Sequence, residues 1–244
     1  MKENLYDLAT NIVYEVAGKE KTSIEFTIPK NETYSKIKYG KITEISVPKP
    51  KQIDEKCLHQ GILFDNLEES YPTVWSLFLA SLYHSGGHAA ITDHSVYQKW
   101  YQTKSPNLAS QVIKFIEDIR VKEYLKSKYS NPVKNIEMIE FSCELLYNKF
   151  LKNILESNEK NKIQNAFKNK INHIRNEVKE SIIDEDTPET RIKLANKLYN
   201  NRNSLGIWEY PFVENIKPTN FTKYLKYFMT YAPFYPQDNY REYL

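Results

Sequence analysis

The chain has 244 residues, of which 41% are hydrophobic and 27% charged, and carries a net charge of +3. That is apolar material for one large domain or two small ones, and too much for a chain that stays unfolded. The near balance of charge excludes a strongly basic nucleic-acid binder, so no nucleic acid is expected among its partners.

Taken in chain order, residues 5–17 place Leu5, Leu8, Ile12, Val13 and Val16 at helical spacing and predict a short helix. Residues 22–48 then alternate, as in Ser23-Ile24-Glu25-Phe26-Thr27-Ile28, with Pro29, Asn31 and Gly40 as punctuation. They predict a small antiparallel β-meander. From about residue 54 the pattern is helical. Pro72 suits the first turn of a buried helix through Thr73–His84, and further helices are expected at about 89–102 and 108–129. Beyond Asn131-Pro132, long polar helices are expected at about 135–157 and 159–182, then one opened by Thr187 as N-cap and running to about 202. From Gly206 the Pro- and aromatic-rich stretch reads as an irregular strap.

The expected class is therefore mainly α (α+β), with a small β-meander preceding a helical bundle. Its divisions are 1–53 for the N-terminal helix and meander, 54–130 for the helical core, and 131–244 for a helical arm and strap. The arm and strap are expected to pack with the core as one unit.

Cys57 and Cys143 form neither a disulfide framework nor a Cys-x-x-Cys site, and read as free thiols in a reducing compartment. The polar start Met1-Lys2-Glu3-Asn4 lacks the apolar core of a signal peptide. The longest apolar-rich run, Val74–Tyr83, is far short of the ~20 residues a membrane span needs. A cytoplasmic protein with no membrane span is expected.

Glycine is scarce, 6 residues in all, and two of them form the doublet Gly86-Gly87 between two histidines. In His84-Ser85-Gly86-Gly87-His88 the imidazoles stand at i and i+4, on one helix face and close enough to share a metal. A zinc hydrolase would place Glu directly after the first histidine as general base. Ser85 occupies that place, and its hydroxyl has no basicity near neutral pH, so no catalytic residue is assigned there.

Two third ligands compete. His94 stands six residues after His88, but Ile91 occupies the place where a sharp turn would call for Gly. Glu117 lies on an apolar face with Ile113, Val121 and Tyr124, and a buried carboxylate needs a partner that metal or histidine would supply. Glu117 is preferred and His94 is the alternative. The doublet also admits a metal-free reading, in which Gly86 caps a helix ending at His84 and Glu117 or Asp118 pairs with Arg120 or a histidine. His59 and His173 stand among polar residues and are expected at the surface.

The helix ending in His84-Ser85-Gly86-Gly87-His88, then Thr92-Asp93, then Ile116-Glu117-Asp118-Ile119-Arg120-Val121-Lys122-Glu123, resembles the zincin-like N-terminal region of NorD- and CbbO-type von Willebrand factor A activator proteins. The related cobalt-chelatase subunit belongs with them. The resemblance spans about residues 74–125, and Ser85 is similar to the degenerate version of the HExxH motif. It implies a zincin-like core with zinc at His84, His88 and Glu117, and Asp93, Asp118 and Arg120 in the layer behind them.

It also implies an activator or assembly factor working with a MoxR-type AAA+ ATPase on a metalloenzyme target. No Asp-x-Ser-x-Ser signature occurs, so a von Willebrand domain is expected on a separate chain. Three function classes remain open on the residues alone. They are a pseudo-metallopeptidase accessory protein, an active zinc metallopeptidase with another base such as Asp93, Glu68 or Glu69, and a metal-free helical interaction protein.

Overall fold

The computed structural model describes residues 5–18, 23–32, 35–59, 62–64, 67–129 and 173–200. Its elements match the expected class, mainly helical with a small, mostly antiparallel β region near the N-terminus. Contacts group these residues into two units, one formed up to Thr92 and again from Val121, the other from Asp93 to Arg120 and over 173–200.

The first unit opens with helix α1, Leu5–Ala17, which buries Ala9, Val13, Val16 and Ala17 on one face. Gly18 follows at φ +81, the left-handed conformation that ends a helix without steric cost to glycine. Strands β1 (Ile24–Thr27), β2 (Lys36–Lys38) and β3 (Thr43–Ser46) form a sheet in the order β1-β3-β2. Alternation sends Phe26, Ile37 and Ile45 inward at one register level, where they join Val13, Phe78 and Leu82 in the core. Tyr6 and Tyr14 of α1 tie the helix to this sheet by donating to the carbonyls of Phe26 and Ile24.

The β1–β3 pairing is parallel while β2–β3 is antiparallel, so β3 inserts between its predecessors and the first sheet is not a simple meander. The up-and-down order belongs to the next three strands, β4 (Lys51–Ile53), β5 (Lys56–His59) and β6 (Ile62–Phe64). These last strands correct the expectation of helix from residue 54. Each is only three or four residues long, too short for alternation to register against a helical pattern.

Helix α2, Leu67–Ile91, runs 25 residues. Neither a helix start at Pro72 nor a cap at Gly86 is observed, and the helix expected over 89–102 is divided. α2 keeps its first residues to Ile91, a 3₁₀ turn covers His94–Tyr97, and α3 spans Gln98–Tyr101. The reason α2 continues through two glycines is steric. A Cβ on Gly86 would stand 2.9 Å from Val16 Cβ and 3.2 Å from the Val13 carbonyl oxygen, and one on Gly87 would stand 2.7 Å from Val121 Cγ1. The doublet is the notch into which α1 and α4 (Pro106–Lys128) press from different sides. Tyr124 of α4 fastens the seam by donating to the Val16 carbonyl at 3.0 Å.

The second unit holds the 3₁₀ turn, α3, α4 as far as Arg120, a helical stretch over 173–184 (α5) and α6, Pro188–Asn200. Ile174, Val178 and Ile182 recur every four residues as the buried face of α5. Thr187 caps α6 as expected, its hydroxyl oxygen accepting from the Thr190 amide at 3.2 Å. Trp100 donates to Asn196 at 2.9 Å and meets the Tyr199 ring edge-on, which joins α3 to α6. Among the described residues no helix is long and apolar enough to cross a membrane. The helices expected at 135–157 and the strap from Gly206 lie outside the described residues, as does Cys143. Cys57 is a buried free thiol.

Candidate metal centre

All five residues from His84 to His88 are buried. The continuous helix places the two imidazoles one turn apart, with ring centroids 4.6 Å from each other and planes nearly perpendicular. His88 Nδ1 lies 3.0 Å from Thr92 Oγ1, one further turn along α2. A neutral imidazole that donates Nδ1–H to Thr92 presents its Nε2 lone pair for coordination, the usual division of labour in a metal-binding histidine.

Among the described residues, the carboxylate grouped with these histidines is Asp118. One ligand atom from each of His84, His88 and Asp118 lies within 4.8 Å of the others. Both histidines are buried and Asp118 is partly exposed.

Two nitrogens and one oxygen suit a first-row divalent ion, zinc included.

Glu117, expected as the third ligand, is fully buried in a different setting. Its carboxylate accepts from Tyr97 Oη at 2.6 Å and from Arg120 Nη1 at 2.6 Å. Arg120 in turn donates from Nε and Nη2 to the Asp186 carboxylate at 2.7–3.1 Å, and Arg191 donates to Asp186 at 2.7 Å. Adjacent helix positions differ by about 100°, so Glu117 and Asp118 must face different surroundings.

Burial first, and then the Glu117 charge, hold the Tyr97 phenol well above its ordinary range, so it stays a donor. Burial raises the Asp186 carboxyl, but hydrogen bonds from Arg120 and Arg191 outweigh it and the net position is low. Arg120, expected behind the ligands, is the hub of this network.

The remaining expected residues separate. His94 is buried in the 3₁₀ turn and is not part of the His84, His88 and Asp118 group. Asp93 is exposed and caps that turn, accepting from the Ser95 amide at 3.0 Å and the Ser95 hydroxyl at 2.6 Å. Ser85 is 1% exposed, and its hydroxyl has no hydrogen-bond partner among the described residues. The side chains of Glu68 and Glu69 lie outside the described residues.

His173 is exposed as expected, whereas His59 is 1% exposed and packs edge-on against Phe78. Burial lowers its pKa to about 3, with a partial opposing effect from a Leu77 backbone hydrogen bond. Its place in β5, two residues from buried Cys57, was the signal that it faces inward. No protein-family model, curated protein or solved structure matches the chain.

Proposed function

We propose that this chain is a zincin-like accessory module that binds a first-row divalent metal, zinc in the first instance, and does not hydrolyse peptides. His84 and His88 hold the metal with Asp118 as the carboxylate. The module acts by engaging protein partners, a MoxR-type AAA+ ATPase together with a separate von Willebrand factor A protein or a metalloenzyme target. The observation that carries the reading is the buried run His84–His88, with two imidazoles on one helix face and a serine in the place of the base. When bound, the metal would supply Lewis acidity. Serine cannot take a proton from water at neutral pH, so the chain's own residues at this place favour retention over turnover.

The test is metal content after purification and dialysis against zinc. About one zinc per chain is expected, lost in a His84→Ala, His88→Ala double variant that keeps its circular dichroism. The competing reading is metal-free, with the glycine doublet serving helix packing alone. It prevails if wild type and double variant hold the same trace of zinc. The partner half is tested separately, by titrating the chain into a purified MoxR-type ATPase from the same genome. Stimulated ATP hydrolysis is expected, and an unchanged rate at saturation removes that half.

A further inference from the structure

The first sheet has two edges among the described residues, β1 and β2, and an edge offers a row of backbone groups to any strand that reaches it. The two are treated differently. On β2, Lys36 and Lys38 flank Ile37 and pair with Glu32 at 3.0 Å and Glu44 at 3.4 Å, so an incoming strand meets charge. β1 carries no lysine. It lies within Ser23-Ile24-Glu25-Phe26-Thr27-Ile28, rich in β-branched and aromatic side chains and without Pro or Gly. Segments of that composition pair with their own copies when an edge is open.

The ladder fixes where each β1 carbonyl points. The Ser23 and Thr27 carbonyls accept from the Thr43 and Val47 amides at 2.9 and 3.1 Å, so the odd-numbered residues of this run face β3. Alternation turns the backbone groups of Ile24 and Phe26 the other way, to the outer edge. Those are the carbonyls that the Tyr14 and Tyr6 phenols occupy, each with one donated hydrogen bond. Both tyrosines come from α1, whose own position is held by the buried face of Ala9, Val13, Val16 and Ala17.

We infer that Tyr6 and Tyr14 form an autoinhibitory clasp that keeps the outer edge of β1 from pairing with β1 of a second copy of this chain. Antiparallel pairing centred on Glu25 uses the outward N–H and C=O groups of Ile24 and Phe26 in both copies. The same register sets the exposed Glu25 side chain against its counterpart, and like charges face to face oppose pairing. The clasp therefore does on β1 most of what lysine does on β2. It belongs to the first unit alone and stands apart from the metal reading.

The test is sedimentation equilibrium on the full chain, with amide exchange followed residue by residue by nuclear magnetic resonance. Tyr6→Phe, Tyr14→Phe removes only the hydroxyls, and the buried face of α1 is untouched. For this double variant we expect self-association about tenfold tighter than wild type, the worth of about one hydrogen bond. The Ile24 and Phe26 amides are expected to exchange more slowly as its concentration rises. Tyr6→Ala, Tyr14→Ala also clears the rings and is expected to move both readouts further. Adding Glu25→Thr to the phenylalanine pair is expected to tighten association by about fivefold more.

A merely structural role for the phenols lowers the melting temperature of the phenylalanine variant and leaves its self-association at the wild-type level, which overturns the inference. Tighter association with unchanged exchange at Ile24 and Phe26 places the contact elsewhere and overturns it too. So does a wild type whose Ile24 and Phe26 amides already gain protection on concentration, because its edge is then open. If the alanine variant does not fold, the phenylalanine variant decides alone.

Discussion

At the scale of single residues, Ser85 decides what the site can do. It follows the first histidine, is almost wholly enclosed, and its hydroxyl lacks a hydrogen-bond partner among the described residues. Zinc-loaded wild type should therefore release no fluorescence from labelled casein. Ser85→Glu, which restores a carboxylate, should raise chelator-sensitive cleavage about 100-fold above that background. Continued silence from a folded, zinc-loaded Ser85→Glu would count against a hydrolase-like arrangement. The i and i+4 histidines and the misplaced serine were legible from spacing alone. That Glu117 is buried was also legible, from its apolar helical neighbours. Its partner Tyr97 was not, because it stands 20 residues earlier, and neither was Asp186, which anchors Arg120 from 66 residues further along; only the folded chain brings them together.

At the scale of elements, α2 is the piece that local sequence describes worst. Two adjacent glycines in a helix cost about 2 kcal/mol relative to alanine, which is why a cap is the natural local reading. The helix persists because α1 and α4 use the missing side chains as room. Gly87→Ala should therefore destabilise the protein by about 1–3 kcal/mol despite its better helix propensity, since Val121 is a stiff, branched neighbour. Gly86→Ala should cost at least as much, because one of its close neighbours is the Val13 carbonyl, which cannot swing aside. Gly40→Ala is the control, with only an ordinary 3.5 Å contact to the Ile42 carbonyl oxygen, and should be near neutral in urea denaturation. The short strands β5 and β6 escaped notice for a different reason. Their pattern is three or four residues long, and pairing between them, not periodicity, makes them strands.

At the scale of the whole molecule, each unit carries a group that makes it labile in acid. His59 has a pKa of about 3 in the fold against 6.5 when unfolded. Between those values the unfolded chain takes up a proton that the folded chain refuses, so stability falls as pH drops from about 6.5 towards 3. The full loss is at most about 5 kcal/mol. Asp186 acts in the same direction but lower, because a depressed carboxylate contributes stability above 3.8 that vanishes as pH falls through its folded value. Urea melts at pH 7, 5, 4 and 3 should show a falling midpoint, and His59→Leu should flatten that decline while leaving the part below pH 4. A midpoint that declines equally in both proteins would remove His59 as the source.

The tight notch in α2 has an evolutionary consequence. A cousin of this chain could exchange its imidazoles for other ligands and still fold, but it could not place a bulky residue at 87 without trimming 121. The two positions should change as a pair, large on one helix only when small on the other. Kinship is then best sought by a spaced signature, His-Ser-Gly-Gly-His with Asp thirty residues after its last histidine and Val three further on, in which the small residues carry as much information as the ligands.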